Sequence, residues 1–324
     1  MNRRCSKAIP LFLGAVVSLG LMGASTQAST PIDSAYSHLG GSSSGLGKPV
    51  GNETCGLRDG GCYRNYQYGA IVWSPETGAQ PSFGVLRSAW ADEGFETGTL
   101  GYPVDVPDCG NGSCTQHYER GAISWSAATG TAVSRAVDDP ATAAVVVNKQ
   151  RPLNPADHVP ASLEAVNGQL LRSDAASAFS TLMQSAASEG VAITAVSGYR
   201  SYDSQVSLYG SYTAQYGQET ADTISARPGH SEHQTGLAVD IGDPEGTCSL
   251  QSCFEDTAAG AWAAENAHRF GFIVRYPDGS GAETGYAYEP WHLRYVGTRI
   301  AEGMRAHGVA TLEEYVGLPS AADY

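Results

Sequence analysis

Two kinds of apolar pattern divide the chain. Between residues 32 and 135 apolar positions fall in short alternating runs, Ala70-Ile71-Val72-Trp73 and Ala122-Ile123-Ser124-Trp125, each opened by a glycine. Alternation bounded by glycine turns predicts short strands. The runs belong to a longer repeat. Leu46-Gly47-Lys48-Pro49-Val50 returns 54 residues on as Leu100-Gly101-Tyr102-Pro103-Val104, Cys55 returns as Cys109, and Tyr36 is matched by Trp90. Gly69 to Ser74 returns 52 residues on as Gly121 to Ser126, so the loop between the paired cysteines has lost two residues. Matched landmarks in one order define a tandem repeat. Each unit is expected to be a short helix, a Gly-Pro turn and a small hairpin. Trp73 and Trp125 have two readings: packing in the core of each unit, or a platform on which a sugar ring stacks.

After Val147 the texture changes to mixed helix and strand. Ser173 to Ala187 carries a helical period with Ser173 placed as its cap, and Val191 to Val196 reads as a buried strand running into Ser197-Gly198-Tyr199-Arg200. Leu237, Val239 and Ile241 alternate with Ala238 and Asp240, as in a strand with one apolar face. Leu293 to Val296 is strand-like, and Ala258 to Arg269 is a structural helix. The expected organisation is a β-rich tandem-repeat domain over 29–135, a linker over 136–146 and an α+β domain over 147–324.

The first 28 residues decide the compartment. Arg3, Arg4 and Lys7 precede an apolar stretch from Ala8 to Leu21, and Thr26-Gln27-Ala28 offers a cleavage site. This is the pattern of a secretory signal peptide, too short to span a bilayer, and no later apolar run reaches membrane length. Export suits the cysteines. Cys5 leaves with the signal; Cys55/Cys62, Cys109/Cys114 and Cys248/Cys253 remain as close pairs. Six cysteines allow 15 connectivities, but short loops in an oxidising compartment favour pairing between neighbours. The formal net charge of −14 becomes more negative once the basic signal residues are removed. Such acidity argues against nucleic acid as a partner, so attachment to an anionic envelope must come from shape and hydrogen bonds.

The chemistry concentrates in two segments, Ser231-Glu232-His233-Gln234-Thr235-Gly236-Leu237-Ala238-Val239-Asp240 and Glu289-Pro290-Trp291-His292. An aspartate on a strand with an apolar face is costly unless paired or bound to metal, and Gly236 lets the chain turn His233 back toward Asp240. Two neutral imidazoles and one carboxylate form a catalytic zinc set with one open position, at which water becomes acidic near neutral pH. A carboxylate outside the ligand set must then move the proton, and Glu289 is placed for it. The oxyanion needs a fixed donor, which Arg200 offers. Taken singly, each of these residues also has an ordinary structural reading. His230, beside the motif, is read as outside the ligand set.

The first half resembles the LGFP repeat of secreted actinobacterial proteins, with Lys48 replacing the aromatic residue in the first copy; the resemblance implies binding to a cell-wall polymer. The order Ser-Gly-Tyr-Arg, Ser-x-His-x-x-Gly-x-Ala-x-Asp, Glu-x-Trp-His resembles the VanY-type D-alanyl-D-alanine carboxypeptidases, zinc peptidases sharing a fold with hedgehog signalling domains. That resemblance implies a small central antiparallel sheet with flanking helices. It implies zinc on His233, Asp240 and His292, Glu289 as base, and Arg200 on the scissile carbonyl. Ser231 and Gln205 fall at positions similar to substrate-holding residues. The expected substrate is the peptidoglycan stem peptide. An endopeptidase on the same scaffold and a non-catalytic wall-binding protein with structural zinc are the competing readings.

Overall fold

A computed structural model describes residues 29–324; the expected signal peptide, residues 1–28, lies outside the described residues. Each repeat is a helix followed by a four-stranded antiparallel meander rather than a single hairpin. The first has helix Pro31–His38 and strands Pro49–Cys55, Cys62–Tyr66, Gly69–Ser74 and Gly78–Phe83. The second has helix Gly84–Asp92 and strands Asp108–Gly110, Ser113–Tyr118, Gly121–Ser126 and Gly130–Arg135. The outer strands escape a pattern reading for a physical reason. Pro49–Cys55 is exposed along almost its whole length, and the edge strand Gly78–Phe83 contains Pro81, so neither carries a clean apolar alternation.

The matched landmarks do matched work. Tyr36 Oη donates to the Gly47 carbonyl at 2.7 Å and Trp90 Nε1 to the Gly101 carbonyl at 3.0 Å. Gly47 and Gly101 both hold φ of +72°, a left-handed turn that glycine enters without penalty. Ser74 Oγ caps Thr77 as Ser126 Oγ caps Thr129. Cys55 faces Cys62 and Cys109 faces Cys114 across neighbouring strands, and both pairs are disulfide-bonded, as are Cys248 and Cys253. Trp73 and Trp125 are partly buried against the cores of their units, while Trp90 is fully enclosed.

The stretch expected as a linker is a packed strap. Val137, Val145 and Val146 are buried, and Arg172 Nη1 donates to the carbonyls of Ala141 and Thr142 at 3.1 and 3.2 Å. Arg294 Nη2 does the same for Ala143 and Val145. Small and charged residues gave this segment its linker character, but its backbone is what the second half holds.

The second half is built on a four-stranded antiparallel sheet in the order Thr194–Ser197, Ala238–Gly242, Glu289–Tyr295, Phe272–Tyr276. Helix Ser173–Ser188 and helix Ala258–Asn266 pack on it through Phe179, Leu182, Trp262 and Ala263, against Leu237, Val239, Ile241, Phe272 and Leu293. Ser173 is the first helical residue and bonds Ser162; Arg172 occupies the cap position without a side-chain cap. The strand expected to be buried over 191–196 is Thr194–Ser197, one of the two outer strands of the sheet, and it is half-buried throughout. The two halves touch. Arg299 Nη1 meets Glu119 Oε1 at 2.8 Å, and the Arg58 guanidinium lies 4.0 Å over the Tyr315 ring.

Candidate metal and catalytic site

Strand register assembles the centre. Asp240 pairs with Ser197 on one side and His292 on the other, placing the three in one row across the sheet. His233 arrives from the short 3-10 turn Glu232–Thr235, which ends at Gly236 with φ of +68°. A Cβ at Gly236 would stand 2.9 Å from the Arg172 backbone nitrogen, so only glycine closes this turn. Gly198 is equally confined, since a Cβ there would meet the Leu170 carbonyl oxygen at 2.5 Å. Its own carbonyl accepts from His233 Nδ1 at 2.8 Å.

That bond turns His233 Nε2 toward Asp240 Oδ2, 3.3 Å away, while His292 Nδ1 stands 3.2 Å from Asp240 Oδ1. All three side chains are buried, and their donor atoms lie within 4.8 Å of one another. Asp240 Oδ1 has no hydrogen-bond partner, although an unmet buried carboxylate oxygen is costly. Two imidazole nitrogens and a carboxylate converging on one point, with an orphaned oxygen among them, fit Zn2+. The only other acidic-cysteine cluster among the described residues, Glu53 with Cys55 and Cys62, has its sulfurs spent in a disulfide.

The electrostatics agree. Burial opposes charge on Asp240, yet His233 and His292 hold its carboxyl far below the usual range. Burial also opposes an imidazolium at His292, but Asp240, Glu232 and Glu289 outweigh it and raise the ring to about 10. The carboxylates around His292 thus favour positive charge there, while burial holds His233 neutral, the form that binds a metal. Glu289 Oε2 lies 3.5 Å from His292 Nδ1 at the mouth of the triad. Desolvation, with smaller repulsion from Asp240 and Glu232, lifts its carboxyl to about 7 against the pull of His292 and Arg200.

Arg200 approaches from the other side. Its backbone N–H donates to the His233 carbonyl, and its guanidinium is held by Gln205 Oε1 at 2.9 Å and Ser197 Oγ at 3.2 Å. Arg200, Ser231, His233, Asp240, Glu289 and His292 line one cleft of about 360 Å³. Gln205 does not line it. That side chain is fully buried and its Nε2 donates to Ser225 Oγ and the Ala226 carbonyl, so its expected contact with substrate gives way to a grip on Arg200. Tyr212 reaches the cleft, whereas Tyr209 is bound to Asp222. Leu250, from the loop closed by Cys248–Cys253, also lines the cleft. His230 turns away, with Nδ1 on the Asn148 carbonyl.

Sequence reasoning missed the charges behind the site. Glu232 is fully buried and takes Arg275 and Arg294 on one oxygen. Arg275 forks onto Glu313, which also receives Asn148 Nδ2. The available signal was an arginine within each of two strongly apolar strands, Phe272-Ile273-Val274-Arg275-Tyr276 and Leu293-Arg294-Tyr295-Val296.

Fold and site together describe a domain with a candidate zinc centre that follows two β-rich repeats. The profile of the VanY D-alanyl-D-alanine carboxypeptidases matches residues 168–298, and that of the LGFP repeat matches 46–98 and 100–138. A Bacillus subtilis protein named as a carboxypeptidase, YodJ, is 40% identical over 189 residues, 55% of this chain and 68% of its own. The D-alanyl-D-alanine carboxypeptidase of Enterococcus faecalis is 35% identical over 181 residues, 53% of this chain and 65% of its own. Among solved structures, the LdcB LD-carboxypeptidase superposes with a TM-score of 0.52 at 39% identity, covering 56% of this chain and 88% of that one. The chain belongs to the VanY D-alanyl-D-alanine carboxypeptidase family and carries LGFP repeats ahead of that domain. No helix among the described residues is long and apolar enough to cross a membrane.

Proposed function

We propose that the protein is a secreted zinc D,D-carboxypeptidase that removes the terminal D-alanine from peptidoglycan stem peptides, with its repeats holding it to a wall polymer. The observation that carries this reading is the meeting, in one cleft, of a buried His233–Asp240–His292 triad, a spare carboxylate on Glu289 and the guanidinium of Arg200. A structural metal site needs neither of the last two, which speaks against a non-catalytic role.

Zinc on the triad would supply Lewis acidity and a water acidic at about pH 7. Glu289 takes the proton of the attacking water on its carboxylate and delivers it to the departing amine nitrogen. Burial lifts its carboxyl while zinc beside it would pull the other way, keeping it ionised to accept that proton near neutral pH. Arg200, fixed by Gln205 and Ser197, donates to the carbonyl oxygen as charge develops there, with no reorganisation needed. Ser231, buried at the cleft floor, offers a hydroxyl to the peptide.

The likeness to an LD-carboxypeptidase favours a second reading, in which the bond cut is the one preceding a single terminal D-alanine. Mass spectrometry of two soluble stems separates them. A pentapeptide ending in D-Ala-D-Ala should lose one alanine, and chelation should abolish the loss. Trimming of a tetrapeptide ending in one D-alanine, with the pentapeptide intact, would establish the second reading. Fragments arising only from cross-linked wall would make the enzyme an endopeptidase.

A further inference from the structure

The two triad histidines differ in what stands behind them. His233 has the Gly198 carbonyl on its far nitrogen at 2.8 Å. His292 points its far nitrogen, Nε2, at Glu232 Oε2, 3.6 Å away. Both of those atoms are buried and neither makes a hydrogen bond, the gap between them being just beyond bonding distance. The other oxygen of Glu232 is occupied, accepting from Arg275 Nε at 2.8 Å and Arg294 Nη1 at 2.7 Å. Two arginines balance Glu232 and Glu313, so the cluster is neutral as a whole and a fully buried carboxylate is tolerable.

An imidazole that binds metal through Nδ1 must carry its proton on Nε2, and an acceptor there fixes both tautomer and ring plane. We propose that Glu232 is a positioning residue for His292: its free oxygen accepts the Nε2 proton and aims Nδ1 at the metal. The inference rests on the zinc reading of the triad. It also gives the strap a role. Arg294 spans from Glu232 to the Ala143 and Val145 carbonyls at 3.2 and 2.5 Å, so the segment joining the two halves steadies the carboxylate behind the metal site.

The test is zinc affinity of the full chain, read by competition with a chromophoric chelator. Glu232→Gln is expected to raise the zinc dissociation constant about 10- to 100-fold, the usual cost of losing an outer partner of a metal-bound histidine. Glu232→Asp keeps the charge between the arginines while withdrawing it from His292, and should show the same direction. Glu313→Gln damages the same cluster away from His292 and should leave zinc affinity near that of the wild type. An unchanged constant in the Glu232 variants, or an equal loss in Glu313→Gln, overturns the proposal. Where the Glu232 variants do not fold, the wild type answers. In ¹⁵N-histidine-labelled, zinc-loaded protein, His292 should show a slowly exchanging Nε2 proton, and its absence overturns the assignment. Wild-type protein that binds no zinc would instead defeat the peptidase reading, which keeps the two failures apart.

Discussion

The repeats and the peptidase half differ in the range of the polar bonds that define each of them. In the repeats the bonds that recur in both copies are local. Tyr36 reaches Gly47 and Trp90 reaches Gly101, each 11 residues away, and the Ser74 and Ser126 caps span three. In the peptidase half they are distant. Arg294 meets Glu232 across 62 residues, Arg275 meets Glu313 across 38 and Asn148 meets Glu313 across 165. Bonds closed inside a unit are copied with it, while Gln116 on the Pro81 carbonyl and Tyr102 on the Arg58 carbonyl tie the second copy to the first. A site assembled from remote segments exists once and depends on the whole domain.

The largest effect expected anywhere in the molecule is at Glu289. Glu289→Gln removes the proton carrier without touching a triad side chain, and should lower kcat by about 10²- to 10⁴-fold with zinc retained. Steady-state kinetics alongside metal analysis checks this. In the wild type the carboxyl must be ionised to accept a proton. Burial raises that carboxyl to about 7 without a metal and zinc on the triad would draw it down, so activity should fall as pH drops through a value below 7 and level off above it. Near-normal turnover by Glu289→Gln would remove the proposed base and require another group to carry the proton.

Arg200 comes next. Arg200→Lys keeps a charge but loses the fork that Gln205 and Ser197 hold, and a lysine is not interchangeable at such a site. Loss of one oxyanion donor costs about 10²- to 10³-fold in kcat. A change confined to KM would instead place Arg200 on the ground-state substrate.

The contrast between local and distant bonds also sets what could be read from sequence. Motif spacing within ten residues suggested that Gly236 folds His233 back toward Asp240, and recurring landmarks exposed the repeats. Disulfide partners five and seven residues apart were legible for the same reason. Gln205 was not, because its burial depends on Ser225 and Ala226, 20 residues off in another element. The strap read as a linker from its run Asp138-Asp139-Pro140-Ala141-Thr142, while the side chains that bind its carbonyls are those of Arg172 and Arg294. A charge within an apolar strand signals a buried partner, but which partner is fixed only by the fold.

The smallest effect on catalysis should come from the deepest cut into the repeats. Trp90 is fully enclosed in the second unit, stacked edge-on with Phe95 and tilted against Tyr118. Trp90→Ala should cost that unit about 3–5 kcal/mol, seen as an earlier thermal transition and weaker retention on isolated walls. Turnover of a small soluble peptide should stay unchanged, because no residue of the repeats lines the cleft. A point variant is a sharper probe than deleting 29–135, since deletion strips Glu119 from Arg299 and Arg58 from Tyr315. It would therefore expose a face of the peptidase half that the folded chain covers. If turnover nevertheless fell in Trp90→Ala, the strap held by Arg172 and Arg294 would be transmitting the loss to the metal site, and the two halves would be one energetic unit.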